Sequence, residues 1–569
     1  MLDCEIIKTD VLIVGAGAAG ITAAIRAYDE GVKVLLITSG PLGRDSATTW
    51  MAGGGFQCAL YPPDSHEVHA QDTIRNGQYL SNQELVYTLL KEAPICVTDV
   101  EKWGEKLHKK GDRFVQSFLP GHTYARCLQR EKEKGVSRFG EEHHKILPHA
   151  IRAREIPVLE DFLVTDLLRA EGRVIGAAGI NLRDGEFRII QSKVVIVATG
   201  GYCACYTHYL TGPLATGWGH GMAYRAGAEF IDMEFVDFYP YAALWPKLST
   251  TGEWPAMLRY GLSGKFYNRD GFEFWERYRR KGFTRPRAIF KEVGDGRGSP
   301  RGGIYLAANH LPTNLIDNFV ATQQGSTWLK ELNAAGFDIH SDAVEVYISV
   351  MSTLGGCKVD THCKTRVPGL YAAGELASGF DGAHTLAGNM MTFCFASGSV
   401  AGRKATEEAK VSQMIDIDES QMKSLRNKVF APLEREEGMR PIEIKKQIKE
   451  IMWDFCNVAG RTKEGLETAV KAMETLRLDK LPRLYSSAKN KRFNLEWAEC
   501  LEVENMLAVS EMTLRGALTR SESRGLHFRE DFPQLDPNLT KTIVISKREE
   551  GMSISMEEVA FPHLKPKEA

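Results

Sequence analysis

Three glycines, Gly15, Gly17 and Gly20, stand at GxGxxG spacing in the run DVLIVGAGAAG (residues 10–20). That residue type at that spacing holds a pyrophosphate. The first glycine makes a tight turn, the second lets backbone approach the phosphates, and the third lets a helix pack closely on a strand. The phosphate then meets unpaired N–H groups at the helix N-terminus, where the dipole favours negative charge. Context gives the spacing its weight. Asp10 to Val14 reads as a short buried strand, ITAAIRAYDEG continues as a helix, and Lys33 to Thr38 reads as a second strand. A dinucleotide is expected on Gly15, Gly17, Ala18, Ala19 and Gly20. Ser39 follows the second strand, where many such folds carry an acid for the ribose hydroxyl; a serine can also hydrogen-bond a ribose.

Two more clusters of small residues lie downstream. FRIIQSKVVIVATGG (187–201) ends a buried strand in Thr199, Gly200 and Gly201, and such strand ends are where an α/β sheet meets its ligand. VPGLYAAGELASGFDGAHTLAGNMM (367–391) reads as strand, loop and then a helix N-terminus near Asn389. In its run AAGE, Glu375 is a lone acid among small residues. A buried carboxylate without partners is costly, so hydroxyl donors from a ligand explain it. RDSATTWMAGGGFQCAL (44–60) has the texture of backbone laid against a flat ligand.

The positioning elements follow from periodicity. Val86 to His108 is helical, with Pro94 expected to kink or split it. Residues 156–180 read as a hairpin broken at AEGR. Residues 242–344 differ in texture, rich in Trp, Tyr and Arg, and are expected to form an inserted domain between the halves 1–241 and 345–412 of the nucleotide-binding domain. Residues 413–535 read as helices, and the tail 536–569 is strand-prone at TIVIS.

Composition excludes several classes. With 71 Lys plus Arg against 73 Asp plus Glu among 569 residues, non-specific nucleic-acid binding is not expected. MLDCEIIKTD carries charges and enters the first strand directly, so no secretory signal is expected. The uncharged run Val11 to Ile25 is glycine-broken and shorter than the roughly 18 residues of a spanning helix, so no transmembrane segment and a cytoplasmic location are expected. The 11 cysteines include no CxxC pair, which argues against a metal or cluster site within the chain. Cys203 and Cys205 are expected to be buried apolar residues.

Taken in order, GAGAAG, Ser39, AGGG (52–55), VATGG, GLYAAGE and SRGLHFRED (523–531) resemble the flavoprotein subunits of succinate dehydrogenase and fumarate reductase, with L-aspartate oxidase and the α subunit of adenylylsulfate reductase in the same group. NRDGFEFWERY (268–278) is similar to that family's capping domain, and RTKEGLETAV (461–470) to its helical domain. The resemblance implies an α/β fold: a Rossmann-like FAD-binding domain with an inserted α+β capping domain and a C-terminal helical domain. It implies FAD, with Ser39 on the adenosine ribose, and Ser46, Gly53 and Gly54 against the flavin. Thr199 and Gly200 would flank the adenosine half, and Glu375 would accept from a ribose hydroxyl. Asn389 and Met390 would set a helix N-terminus at the flavin's pyrimidine end. Where the family's covalent flavin histidine stands in SHT, this chain reads Ser46, Ala47, Thr48. Ala47 has no nucleophilic atom, so non-covalent FAD is expected.

The substrate positions depart from the family. Tyr239-Pro240-Tyr241 replaces His-Pro-Thr, Met351 replaces a histidine, and Thr385 replaces the arginine that grips a substrate carboxylate. A diacid in a closed site needs cationic, bidentate donors. Losing them argues against succinate or fumarate, and the aromatic residues Tyr239, Tyr241, Trp245 and Trp254 point to a larger or less charged substrate. Tyr239 and His384 are the candidate proton donors, with Arg287 or Arg259 to bind an anion. His220 is a weaker candidate. The expected activity is an FAD-dependent oxidoreductase, the flavoprotein subunit of a complex passing electrons to an iron–sulfur partner. The alternatives are a stand-alone flavin oxidase or enoate reductase, and an electron-transfer flavoprotein without a substrate.

Overall fold

The computed structural model describes residues 5–43, 48–52, 55–131, 139–248, 254–323 and 326–566, with the backbone alone for 139–142. Its central sheet grows from apolar runs that can be buried on both faces. The strand Glu5–Val14 lies parallel to Val34–Ile37 on one side and to Phe187–Val197 on the other. The sheet continues antiparallel through Arg173–Asn181 and Phe162–Ala170, and Val158–Leu159 closes the opposite edge. The hairpin at AEGR is therefore present. The first strand is longer than expected, because its polar half, Glu5 to Thr9, pairs with Arg188 to Ser192 although it carries no apolar pattern.

Along its other edge the strand Phe187–Val197 serves two partners in turn. The first half of Phe187–Val197 pairs with the hairpin, and its last three residues pair with Leu370–Ala372. That arrangement stitches three loops side by side. Gly15 N donates to Ile37 O at 2.9 Å, Ala198 N to Val14 O at 2.8 Å, and Ala373 N to Val197 O at 3.1 Å. Three parallel strands thus deliver their small residues at one carboxyl edge, where an α/β sheet receives a ligand.

Helix Ala18–Asp29 packs along helix Asn389–Val411. Their approach requires glycine: a Cβ on Gly398 would stand 2.3 Å from Ala19 O, and one on Gly402 would stand 2.6 Å from Ala23 O. The expected split at Pro94 does not occur. Gln83–Lys102 is one helix, and its buried face of Leu89, Leu90, Ala93, Val97 and Val100 holds it together across the missing N–H.

The chain leaves the nucleotide-binding sheet along Val236–Trp245 and returns along the antiparallel Val344–Thr353. Between them, Ile304–Ala307 and Lys265–Tyr267 complete a four-stranded sheet. Helices Glu419–Glu434, Pro441–Phe455, Lys463–Thr475 and Leu495–Thr519 follow. The tail forms a hairpin, Lys541–Arg548 with Gly551–Glu558, that adds to Phe230–Ile231. Among the described residues no helix is long and apolar enough to cross a membrane.

Candidate functional site

A cavity of about 1710 Å³ opens at the carboxyl edge of the sheet, lined on one side by Gly15, Gly17, Gly200 and Glu375 and on the other by Val236 to Pro240 of strand Val236–Trp245 and the start of helix Arg285–Glu292. Ordinary ligand pockets are about 300–1,000 Å³, so there is room for a large cofactor and a second molecule.

The nucleotide wall is built around the first glycine loop. Gly15 sits at φ +111°, and a Cβ there would stand 2.3 Å from Ala198 O. Gly20 carries the close packing, since its Cβ would fall 1.8 Å from Gly15 O. At Gly200, φ +76°, a Cβ would meet nothing within 4 Å, so this backbone opens into the cavity. Ser39 and Ala19 line the same wall. Ala18 N–H is already engaged, donating to Thr49 Oγ1 at 3.0 Å. Beside them, the Thr199 hydroxyl is buried and has no hydrogen-bond partner among the described residues.

Glu375 is buried, which excludes a surface loop glutamate. Its Oε1 accepts from Thr353 N at 3.0 Å and from Thr353 Oγ1 at 3.2 Å. Burial outweighs these bonds and pushes the carboxyl up to about 7. The glycine cradle, the orphaned hydroxyl and the acid together fit the sugar and phosphate chemistry of a dinucleotide. Thr353 and Thr49 carried no signal in sequence, since each acts on a partner far along the chain.

Helix Asn389–Val411 begins at this wall behind Gly388, which is left-handed at φ +80° and gives no side-chain cap. Met390 lines the cavity. Asn389 does not present its side chain there, which corrects its expected place at the ligand. Its Nδ2 donates to Thr73 Oγ1 at 2.9 Å, its Oδ1 accepts from His69 Nε2 at 2.9 Å, and its backbone N–H is taken by Leu386 O at 3.0 Å. A buried amide must satisfy its donors and acceptors, and the fold does so away from the cavity. Ser46, Gly53 and Gly54, with Ala47, lie outside the described residues.

Across the cavity the structure brings Tyr239, His384 and Arg287 to one space, with Met351 and Thr385 on its walls. His384 is oriented by Thr385 O, 2.8 Å from its Nδ1, while Asn76 Nδ2 donates to His384 O at 2.9 Å. Arg287 lies over the Phe528 ring at 3.3 Å and the Phe283 ring at 4.4 Å. Burial lowers its guanidinium to about 10, so it stays charged at neutral pH. Its neighbour in the helix, Arg285, also lines the cavity, as does Asp237, two residues before Tyr239 on its strand. Neither was singled out in sequence; the TRPR start of a helix and the acid two residues before Tyr239 were the available signals.

Other expectations fall away from the cavity. Arg259 donates to Gly264 O at 3.3 Å and is not part of the wall. Trp245 is half-exposed at its strand's end, whereas Trp254 is buried and lines the cavity. His220 is fully buried, bonded to Gly355 O at 3.2 Å and pushed down to about 4 by desolvation. Cys203 and Cys205 are buried, and burial raises both thiols. The loop from Ser523 to Phe528 closes one side of the cavity, held by buried ion pairs from Arg524 to Glu522 at 2.7 Å and from Arg520 to Glu234 at 2.7 Å.

Comparison with known proteins agrees with this geometry. The family described as FAD binding domain matches residues 10–391, and that described as Fumarate reductase flavoprotein C-term matches residues 445–569. A fumarate reductase (CoM/CoB) subunit from Methanothermobacter marburgensis is 32% identical, covering 97% of this chain and 100% of that one. L-aspartate oxidase of Streptomyces coelicolor is 28% identical over 98% of this chain and 95% of its own. The structure of Mycobacterium smegmatis Sdh1 in complex with UQ1 superposes with a TM-score of 0.88 at 28% identity, covering 98% of this chain and 96% of that one. The fold is the α/β FAD-binding fold with an inserted α+β capping domain and a C-terminal helical domain, and the chain belongs to the FAD-dependent oxidoreductases of the fumarate reductase and succinate dehydrogenase flavoprotein family.

Proposed function

We propose that this flavoprotein subunit holds FAD without a covalent bond and exchanges electrons between a substrate other than succinate or fumarate and an iron–sulfur protein. Residues 1–241 and 345–412 form the FAD-binding domain, 242–344 the capping domain and 413–535 the helical domain in this reading. Bound FAD supplies a two-electron donor or acceptor at its N5. The chain's own residues do the rest. Gly15, Gly17 and the N-terminus of helix Ala18–Asp29 cradle the pyrophosphate, and Ser39, Thr199 and Glu375 take ribose and adenosine groups. Met390 stands in the first turn of helix Asn389–Val411, whose positive end would stabilise negative charge on the reduced ring. Tyr239 and His384 handle the proton at the substrate, and Arg287 anchors an anion.

The observation that carries the substrate claim is the company at one cavity wall. Tyr239, Met351 and Thr385 line the same space, and none of the three supplies the charged fork a second carboxylate needs. The cavity's size and its capping-sheet wall speak for a substrate rather than for an electron-transfer protein without one. All 10 described cysteines are free, which suits a reducing, cytoplasmic setting. The test is the purified native assembly assayed for viologen-linked fumarate reduction and for succinate oxidation. Neither is expected to exceed the rate of free flavin, and an iron–sulfur protein should accompany the chain. Steady turnover of either diacid overturns the substrate claim, and a chain isolated alone that consumes oxygen with its substrate overturns the partner claim.

A further inference from the structure

The cavity beside residues Val236 to Pro240 of strand Val236–Trp245 has an acidic end and a cationic end. Asp237 and Tyr239 both line it, within the stretch Val236 to Pro240, and Tyr241 is buried beyond that stretch. Asp237 lines the first end, as does His384, with which it interacts electrostatically. Behind His384, Asp381 is 5% exposed, interacts with both His384 and Asp237, and keeps Oδ1 buried without a partner among the described residues. Two carboxyl groups therefore share a single imidazole.

The second end is cationic. Tyr241, buried next to it, interacts with Arg285 and with Arg259, the latter off the cavity wall. Arg285 and Arg287 line the cavity there, and Nε of each is buried without a hydrogen-bond partner among the described residues. Trp254 is 3% exposed, lines the same stretch, and its Nε1 has no partner among the described residues either. Buried donors left this way are costly unless a ligand accepts from them. The walls between the two ends are Tyr239, Tyr260, Met257 and Phe528.

We infer that the cavity takes a dipolar substrate: a monocarboxylate whose carboxylate meets Arg285, Arg287 and Trp254, whose planar or aromatic body lies along Tyr239, and whose far end carries an amine or another hydrogen-bond donor for Asp237. This rests on the reading that the space beside the nucleotide wall is the substrate site. It goes further in naming what lies at each end. A diacid is disfavoured by the second carboxylate's encounter with Asp237 and Asp381, because like charges at a desolvated contact repel. Asp237, Arg285 and Trp254 are specificity-determining residues, each touching the substrate.

Three probes of one size separate the possibilities: 4-(aminomethyl)benzoate, 4-methylbenzoate and terephthalate. Each is titrated into the flavin-loaded protein and followed by tryptophan fluorescence, with the flavin spectrum recorded in parallel. The zwitterion is expected to bind about tenfold tighter than 4-methylbenzoate, with terephthalate weakest. Asp237→Asn should bring the zwitterion and 4-methylbenzoate together while both still bind, and Arg285→Gln should weaken both monocarboxylates. Thermal melting verifies that each variant is folded, and Asp237→Ser serves if the asparagine variant does not fold. Equal binding of the first two probes, a preference for terephthalate, or no binding of any probe overturns the inference. A protein that binds no flavin yet discriminates the probes sinks the FAD reading alone. A flavin-loaded protein blind to the probes sinks the dipolar substrate alone.

Discussion

At Glu375 the chemistry of one carboxyl shows how far burial and hydrogen bonding oppose each other. Its ordinary value of 4.5 is raised to about 7 because desolvation outweighs the two bonds from Thr353. A carboxyl whose folded value is raised stabilises the fold fully below 4.5, and that contribution is lost as pH rises through 7. The loss is on the order of 3 kcal/mol. Flavin-free protein should therefore melt at progressively lower temperature between pH 5 and pH 8, and Glu375→Gln should flatten that slope. Parallel melting profiles for the two proteins would contradict the assignment. The acid was legible in sequence because a charge among small residues at a strand end has few explanations. Thr353 was not, because its bond to Glu375 forms only where the end of strand Val344–Thr353 meets the turn Gly374–Leu376. Asn389 misled for the opposite reason. Its position at the helix start was right, but nothing local showed that His69 and Thr73 would take its amide.

Among the elements, the pair of helices behind the nucleotide wall depends on two small positions. Gly398 and Gly402 lie inside helix Asn389–Val411, where alanine would ordinarily favour the helix by about 1 kcal/mol. Contact reverses the sign. A Cβ 2.3 Å from Ala19 O or 2.6 Å from Ala23 O forces the helices apart, at a cost of about 1–3 kcal/mol. Gly398→Ala and Gly402→Ala should both lower the melting temperature and weaken flavin retention, since Ala19 lies in the first turn of helix Ala18–Asp29 and lines the cavity. Variants as stable as the parent would show that the two helices are not held at this distance. The periodic helices and the buried strands were readable because each buries a continuous apolar face. The polar half of Glu5–Val14 was not, because its pairing is fixed by the neighbouring strand and leaves no hydrophobic pattern. The unbroken helix through Pro94 shows the same dominance of tertiary packing over local preference.

For the whole molecule, three loops separated by hundreds of residues converge because parallel strands place their carboxyl ends on one edge. The capping sheet then closes the far side along paired strands Val236–Trp245 and Val344–Thr353, which set Tyr239 and Met351 on its wall. The three glycine clusters made the nucleotide half of this plan visible in sequence. The gathering of Arg285, Arg287 and Trp254 on the opposite wall stayed hidden, since they come from different elements and line one cavity only in the folded protein. The account's central claim is a cavity that holds FAD by shape, dipole and hydrogen bonds, with Ala47 standing where a covalent link would need a histidine. Acid precipitation of the native protein measures this directly. About one equivalent of FAD per chain should appear in the supernatant above a colourless pellet; flavin fluorescence remaining with the denatured polypeptide, or a protein that carries no flavin at all, would contradict it.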